Sequence, residues 1–518
     1  MRFAGGICKQ TLRVGADVST EKVAEAGGCM KCGKASTNGW GSIALGSLDF
    51  GFFHFPSMFS RRFVLFSLAL VSCGVVNGRA ADWPPTLDEK NPTTKAVDGR
   101  VIERFTHGPR AEWGYPAGTE GEWAYPQPEE TGAKQQNHCS FYVASPKNPR
   151  ENAPLCVVLH SANRTAYDYL GYACLDRKID GGDDPATAMT NPPSDFYGLF
   201  LNSTNAEWWG WTQARQNAAK QSSAPAGAEL RVLDTIEWVV NRYHIDRSRI
   251  YLCGVSMGGC GTLGIGLPHG DVFAAIRADV PAGTGYASYR LGGIGPVPAF
   301  DASAAERENW LRHVSAVGLP DPPVLVDFSS QEDRWATTQP ALIQAAQVGR
   351  LPLVLAWGPF GHNTFGSGIS KWALPAVTIG FPWLEIRRDE AYPVFTHATS
   401  DQQCPWLNAP VDYSDSGQMN AYFRWKILED TASSFRFQVW MDRPEVKNAL
   451  QMPATARADI TLRRLQQFKL KAGQGCRWEA VGDAKVPSES GYCDNLGLLT
   501  MPQVLVNRTP TEFRVTRE

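Results

Sequence analysis

The sequence predicts an α/β fold in which a mostly parallel sheet is flanked by helices, with a smaller antiparallel β domain at the C-terminus. Two observations predict the first part: apolar runs of strand length recur along residues 137–392, and segments with helical periodicity lie between them. Apolar runs without alternation are typical of strands buried on both faces, as parallel strands are. A third observation, a change to short aromatic and β-branched runs after about residue 392, predicts the second part.

The strands and helices of the first part alternate along the chain. Residues 155–160 (LCVVLH) form the first apolar run. Residues 228–243 (AELRVLDTIEWVVNRY) have the spacing of an amphipathic helix, because Leu233, Ile236 and Val240 fall on one face. Strands that alternate with helices imply right-handed crossovers and a mostly parallel sheet. The later apolar runs are RIYLCG, VFAAIRADVPAG, PPVLVDFSS and LPLVLAWG.

The two segments that flank this part have other compositions. Residues 81–136 are rich in Pro, Gly, Trp and charge, and we expect them to form an irregular N-terminal wrap. Residues 393–518 contain the runs AYFRWKILED, SFRFQVWM, LLTMPQVLVN and TEFRVTRE, separated by turn residues. This pattern predicts a β-sandwich-like accessory domain after an α/β domain that spans residues 137–392.

Residues 58–80 have the features of an export signal. Arg61 and Arg62 precede an apolar stretch, residues 63–76, that is too short to span a bilayer, and the residues up to Ala80 suit cleavage by leader peptidase. The arginine pair also resembles a twin-arginine signal, and LVSC, which ends at Cys73, resembles a lipobox that would leave a lipid anchor. We therefore expect a secreted or periplasmic protein, or a lipoprotein, and we expect residues 1–57 to be a non-native or disordered extension.

The composition excludes some classes of function. The formal net charge of -2 leaves no basic excess to neutralise phosphates, so a nucleic-acid partner is not expected. Cys29 and Cys32 form a lone C-x-x-C, and no metal cluster or phosphate-binding loop is evident, so no metal or cofactor is implied. In an exported protein, Cys476 and Cys493 are candidates for a disulfide that staples a hairpin.

The stretch GVSMGG places Ser256 directly after the apolar run IYLC, at a point where a helix can begin. In a G-x-S-x-G turn the serine has strained backbone geometry, and Gly254 and Gly258 avoid clashes around it. The hydroxyl then projects above the carboxyl edge of the sheet, and the N–H of Met257 points the same way as a candidate oxyanion donor. Ser256 is therefore the candidate nucleophile.

A serine hydroxyl needs a base, and an acid behind that base, to react at neutral pH. Asp333 lies just beyond the run VLVDFSS and His362 just beyond LPLVLAWG, so both follow strands and converge on the edge that carries Ser256. Glu332 and Asp327 are alternative acids, although Asp327 lies within the strand itself. The order serine, acid, histidine predicts a hydrolase.

Residues from about 137 to 390 resemble the α/β-hydrolase superfamily, and GVSMGGCGTLGIGLPHGDVFAAI is similar to the esterases grouped with feruloyl, acetyl-xylan and polyhydroxybutyrate esterases. The resemblance implies that Ser256 attacks an ester carbonyl, that His362 transfers the proton and that Asp333 fixes the imidazole tautomer. It also implies a second oxyanion donor in the stretch VVLHSAN, where Ala162 would supply its N–H. Ser161 stands there where these enzymes usually have glycine.

The substrate is indicated less directly. Trp208, Trp209 and Trp211 lie in a loop before the long helix, where they either stack on sugar or aryl rings or pack a hydrophobic lid. With the resemblance, we expect an exported serine carboxylic-ester hydrolase that removes acetyl or feruloyl groups from plant-polysaccharide esters.

Two other hypotheses stay open. A serine peptidase of the prolyl-oligopeptidase type has the same order of residues, but the segment between residues 80 and 155 is too short for the β-propeller of those enzymes. A non-catalytic glycan-binding protein would not need the ordered serine, acid and histidine.

Overall fold

The computed structural model describes residues 85–88, 93–96, 98–108, 110, 113, 140–161, 164–174, 191–202, 208, 228–281, 321–331, 333, 336, 339–358, 361–362, 380–402, 417–443, 451–482 and 488–518. All of them belong to the compact unit Cys73–Glu518. The expected export signal, the possible lipid anchor at Cys73 and residues 1–57 lie outside these ranges. Among the described helices, none has both the length and the apolar character needed to cross a bilayer.

Nineteen strands are formed by the described residues. They are β1 (Thr86–Leu87), β2 (Thr93–Lys95), β3 (Val101–Thr106), β4 (Ser140–Ala144), β5 (Leu155–Leu159), β6 (Tyr197–Leu201), β7 (Ile250–Val255), β8 (Ala275–Asp279), β9 (Val324–Ser330), β10 (Leu353–Gly358), β11 (Tyr392–Thr396), β12 (Gly417–Met419), β13 (Phe423–Asp430), β14 (Ser434–Met441), β15 (Thr455–Arg463), β16 (Gly475–Ala480), β17 (Glu489–Tyr492), β18 (Thr500–Asn507) and β19 (Thr511–Arg517).

The central sheet has eleven strands in the order β1-β3-β4-β6-β5-β7-β8-β9-β10-β12, with β2 paired to β3. The six strands from β6 to β10 in this order run parallel, and the strands at both margins are antiparallel. Every residue of β5, β7 and β9 is buried, which explains why the runs of β5 and β7 are apolar without alternation. The predicted mostly parallel sheet is therefore confirmed.

Within the described ranges, four α-helices pack on this sheet: α1 (Ala166–Cys174), α2 (Ala228–Tyr243), α3 (Met257–Gly261), which continues into a π-helical turn at Thr262–Gly266, and α4 (Gln339–Gly349). The buried side chains of α1 belong to the apolar core on one face of the sheet, and those of α2 and α4 belong to the core on the other face. Ile236 and Val240 of α2 are buried as its periodicity predicts. Helices thus flank the sheet on both faces.

Part of the segment expected to be an irregular wrap forms strands instead. β3 pairs with β4 in register from Ile102 opposite Ala144 to Thr106 opposite Ser140. Ile102 and Phe105 are buried and join the apolar cores on opposite faces of the sheet. The expectation of irregular structure is therefore wrong for residues 101–106, because this strand covers the margin of the sheet on both faces.

The C-terminal strands form two antiparallel sheets, with the orders β11-β15-β18 and β13-β14-β19-β16-β17. Their facing side chains, such as Phe437 and Ile460, form one apolar core that continues through Tyr392 to Tyr251 of the central sheet. β12 lies beyond the predicted boundary near residue 392 and yet pairs with β10 of the central sheet. The predicted antiparallel β domain is confirmed, and it shares its core with the α/β part.

The pair of cysteines predicted as a possible staple lies within this domain. Cys476, in β16, and Cys493, directly after β17, are both buried, and their thiols are free and hydrogen-bonded to each other. Burial raises the pKa of Cys476 to about 12.

Candidate active site

The serine of the G-x-S-x-G stretch lies in a sharp turn between a strand and a helix. β7 ends at Val255, α3 begins at Met257, and Ser256 between them has φ 58 and ψ -118. A positive φ at a residue with a side chain costs of the order of 1–3 kcal/mol and persists only where the surroundings impose it. Here the N–H of Ser256 donates to the carbonyl of Asp279 at 2.9 Å, and its own carbonyl accepts the N–H of Cys260 at 2.9 Å.

The glycines around this serine are required by close backbone approach. A Cβ on Gly254 would overlap the backbone of Gly258. A Cβ on Gly258 would overlap the carbonyl of Leu159, at the end of the neighbouring β5. The turn can therefore pack against β5 only with glycine at both positions, as the sequence pattern predicts.

Three side chains that are distant in sequence form a hydrogen-bonded chain at this turn. The hydroxyl oxygen of Ser256 lies 2.7 Å from Nε2 of His362, and Nδ1 of His362 lies 2.5 Å from Oδ2 of Asp333. His362 follows β10 and Asp333 follows β9, so both come from loops at the carboxyl edge of the parallel strands. The Asp333 side chain is 2% exposed and that of His362 is 27% exposed, so the carboxylate is shielded from water while the imidazole is partly accessible.

The alternative acids differ from Asp333 in what they contact. Asp327 lies within β9, is fully buried, and accepts hydrogen bonds from Ser329 Oγ at 2.8 Å and from Gln339 Nε2 at 3.1 Å. Burial raises the pKa of Asp327 to about 7. Glu332 lies outside the described residues. Of the candidate acids that the structure describes, Asp333 is the one that bonds to the imidazole of His362.

The loop after β5, predicted to carry the second oxyanion donor, is tied directly to the serine turn. Ser161 Oγ donates to the carbonyl of Val255 at 3.0 Å and lies 2.5 Å from the hydroxyl of Tyr169 in α1. Ala162 lies outside the described residues. Sequence reasoning noticed that a serine replaces the usual glycine but did not find its partner Tyr169, eight residues further on.

Trp208, predicted as a candidate for stacking on substrate rings, is buried. Its side chain is 1% exposed, and its indole N–H donates to the carbonyl of His160 at 2.9 Å. A Cβ on Gly261 would overlap the side chain of Trp208, so the indole packs directly on α3. A substrate-stacking role is therefore wrong for Trp208, because its ring fills the space beneath the loop after β5. Trp209 and Trp211 lie outside the described residues.

Asp279, a buried acid at the end of the neighbouring strand β8, supports the turn at Ser256. Asp279 accepts the N–H of Ser256 with its backbone carbonyl, and its carboxylate contacts Nε of Arg277 at 3.1 Å. Burial raises the pKa of Asp279 to about 6, although the neighbouring guanidinium opposes that shift. No sequence signal distinguished this residue, because it appears only as the polar end of the apolar run VFAAIRADV.

The strand order and the strand–serine–helix turn at the carboxyl edge are those of the α/β-hydrolase fold. No family model matches the chain. Acetylxylan esterase A of Emericella nidulans is 26% identical over 150 residues, a segment that covers 28% of this chain and 44% of that relative. The chain thus spans less than half the length of the curated relative, and the match confirms the predicted resemblance to this group of esterases.

Solved structures that match the chain have lower sequence identity and low structural similarity. Acetyl xylan esterase from Aspergillus awamori has 17% identity and a TM-score of 0.28, over 38% of this chain and 68% of that chain. The fluorophosphonate-binding serine hydrolase F of Staphylococcus aureus has 14% identity and a TM-score of 0.32, over 50% of this chain and 95% of that chain. With TM-scores this low, the assignment of the fold rests on the strand order and on the turn at Ser256.

Proposed function

We propose that this protein is a serine carboxylic-ester hydrolase in which Ser256 is the nucleophile, His362 the general base and Asp333 the acid that orients it. The observation that carries the proposal is the continuous hydrogen-bonded chain from the hydroxyl of Ser256 through His362 to Asp333. A base within 3 Å of a serine hydroxyl, itself held by a buried carboxylate, is the arrangement that nucleophilic acyl transfer requires.

In the first half of the reaction, Oγ of Ser256 bonds to the ester carbonyl carbon while its proton passes to Nε2 of His362. Asp333 accepts the N–H at Nδ1, which keeps Nε2 free to take that proton and stabilises the imidazolium that results. The carbonyl oxygen becomes an oxyanion, and we assign its stabilisation to the backbone N–H groups of Met257 and Ala162.

The intermediate collapses when the bond from carbon to the alcohol oxygen breaks and His362 returns its proton to the leaving alcohol. Water then attacks the acyl carbon while one of its protons passes to Nε2 of His362. The bond from that carbon to Oγ of Ser256 breaks as His362 returns the proton to Oγ, and the carboxylic acid is released. Each half-reaction moves one proton through the same imidazole, so no cofactor enters the scheme.

We further propose that the esters are acetyl or feruloyl groups on plant polysaccharides. The sequence similarity to acetylxylan esterase A over 150 residues supports this choice. A substrate panel of acetylated xylan, methyl ferulate, a polyester film and a prolyl peptide tests it. Preferential hydrolysis of the prolyl peptide would favour the peptidase alternative instead.

The experiment that tests the chemistry is the change Ser256→Ala in protein that begins at residue 81. Loss of the nucleophile is expected to lower the rate of p-nitrophenyl acetate hydrolysis by about 10⁶-fold while the fold is kept. Ser490→Ala, on the exposed strand β17, is the matched control and should keep the full rate. If Ser256→Ala keeps its rate, the assignment of the nucleophile is wrong.

Export is the remaining part of the proposal. The arginine pair and the apolar stretch in residues 58–80 support it. Sequencing the N-terminus of protein recovered from the medium or periplasm should show a mature chain that begins at residue 81, or a lipidated chain that begins at Cys73.

A further inference from the structure

A groove lies at the amino edge of the central sheet, between the segment 380–391 and the strands β13 and β14. Its volume is about 370 Å³, which is within the size range of pockets that bind small molecules. Trp425 and Trp440 are among its lining residues, together with Phe381, which is only 2% exposed, and its charged residues include Glu385 and Lys426. This groove has no role in the proposed reaction, and the similarity to other proteins assigns it none.

The groove is separate from the candidate active site. Tyr251, at the start of β7, donates its hydroxyl to the carbonyl of Ile386 at 2.8 Å, so the groove lies beside the amino end of that strand. Ser256 follows the carboxyl end of the same strand. Five residues of extended chain separate the two positions by about 17 Å. A ligand in the groove therefore does not contact Ser256, His362 or Asp333.

Its walls provide flat apolar surfaces with polar edges. The rings of Phe381 and Trp425 lie 5.8 Å apart between centroids, with 49° between their planes. Trp440 pairs with Arg424 across the two strands and is partly exposed. Among the described residues neither indole N–H has a hydrogen-bond partner, so both remain available as donors. An indole presents a broad apolar face together with one N–H donor at its edge.

The charges in the groove favour a neutral ligand. Arg387 is engaged by Asp389 at 3.0 Å, and the guanidinium of Arg424 donates to the carbonyl of Ala421 at 2.8 Å. The exposed Glu385 and Lys426 have no ion-pair partner within the ranges that the structure describes. A phosphate or another polyanion needs several uncommitted cations, whereas Lys426 here lies in a lining that also holds the carboxylates of Glu385 and Glu390, and Glu390 lies 3.6 Å from Arg387.

We propose that this groove binds sugar units of a neutral polysaccharide. The apolar face of a pyranose ring would stack on Trp440 or Trp425, while ring hydroxyls donate to the Glu385 carboxylate and accept from Lys426 and the indole N–H groups. The proposal rests on the proposed function only in the choice of xylan as the polymer. Because the two sites lie at opposite edges of the sheet, the groove holds the protein on the polymer without presenting an ester to Ser256.

The test uses the full-length protein with Ser256→Ala, so that the polymer stays chemically unchanged during binding. Retention on insoluble xylan is measured with and without xylohexaose as a competitor, and the dissociation constant for xylohexaose is measured by calorimetry. Adding Trp440→Ala is expected to raise that constant by at least about tenfold, because it removes a stacking surface. Tyr492→Ala is the matched aromatic control, since Tyr492 is 77% exposed on the remote strand β17.

Glu385→Gln is a second, milder variant that keeps the shape of the groove and removes one acceptor charge. It should weaken binding by a smaller factor than Trp440→Ala, and thermal unfolding of both variants shows whether the fold is kept. Unchanged retention in Trp440→Ala, no detectable binding of xylohexaose, or retention that salt removes and xylohexaose does not, would each overturn the proposal. Absence of esterase activity in the unmodified protein, with xylan binding intact in the Ser256→Ala protein, would count against the proposed function and not against the groove.

Discussion

At the carboxyl edge of the central sheet, the three side chains of the candidate site bond to one another, whereas at the amino edge buried polar side chains bond mainly to backbone carbonyls. Ser256, His362 and Asp333 form a chain in which each group is the partner of the next. At the amino edge, Arg464 donates to the carbonyls of Ala274 at 3.3 Å and Pro322 at 3.2 Å, which precede β8 and β9. The first arrangement leaves a hydroxyl free to react, and the second joins the C-terminal strands to the sheet.

This difference predicts that the rate of hydrolysis depends on the carboxyl edge and that stability depends on the amino edge. A change at the carboxyl edge is expected to alter rates with little change in unfolding free energy. A change at the amino edge is expected to alter the unfolding free energy with little change in rates. Four changes to the chain test this contrast.

Deletion of residues 393–518 should abolish folding of the remainder. The deletion removes β12 from the central sheet and strips the shared apolar core from one face, exposing side chains such as Tyr251. Recovery of the truncated chain in the soluble fraction and its circular dichroism test this expectation. A soluble, active chain that ends near residue 392 would show that the C-terminal strands are an independent accessory domain.

Asp333→Asn should lower the turnover number by about 10⁴-fold, because the amide no longer fixes the tautomer of His362. Asp327→Asn is the matched control: it lies six residues earlier, bonds to Ser329 and Gln339, and should keep most of the activity. Glu332→Gln tests the remaining acid. Steady-state hydrolysis of p-nitrophenyl acetate measures all three, and a larger loss in Glu332→Gln than in Asp333→Asn would reassign the acid.

Arg464→Met should lower the unfolding free energy by about 3 kcal/mol, because it removes a buried guanidinium that donates to the backbone carbonyls of Ala274, Pro322 and Arg387. The guanidinium also lies 4.8 Å from the ring centroid of Tyr392, a contact that methionine replaces only in part. Arg477→Met, at an exposed position of β16, should change stability by less than about 0.5 kcal/mol. Urea unfolding measures both variants, and equal stabilities would contradict the anchoring role of the amino edge.

Tyr169→Phe should lower the turnover number by about tenfold and leave KM nearly unchanged. The change removes the hydroxyl that holds Ser161 in position. Because Ser161 belongs to the loop that carries the proposed donor Ala162, that loop loses one of its contacts. Tyr251→Phe is a control of the same chemistry at the opposite edge, where the lost hydrogen bond goes to Ile386. Equal losses of turnover in both variants would mean that Tyr169 acts through general stability alone.

Much of the fold could be predicted because its signals are local. The runs that became β5, β7 and β10 lack charged residues and alternation, as burial on both faces of a parallel sheet requires. The strand β3 was missed because its sequence, VIERFT, mixes charged and apolar residues, as a strand near the margin of a sheet can. Residues 81–136 were predicted to be irregular from their content of Pro, Gly, Trp and charged residues, and composition does not reveal which strand a segment pairs with.

The site was predictable to a similar degree, for a similar reason. The residues around Ser256 determine its strained turn by themselves, since the required glycines are two positions away on each side. The order of strands along the chain also determined that loops bearing an acid and a histidine would meet at one edge. The burial of Trp208 and the bond between Ser161 and Tyr169 could not be predicted, because neither leaves a periodic or compositional trace.

The sequence by itself determined the class of fold, the position of the candidate nucleophile and the two loops that face it, because backbone strain and strand burial depend on neighbouring residues. The contacts between distant residues follow from the tertiary structure alone. Asp333 bonds to His362, Trp208 packs beneath the loop after β5, and Arg464 donates to the carbonyls before β8 and β9. Such contacts join residues far apart in the chain, and their distances are set by how strands, helices and loops pack together.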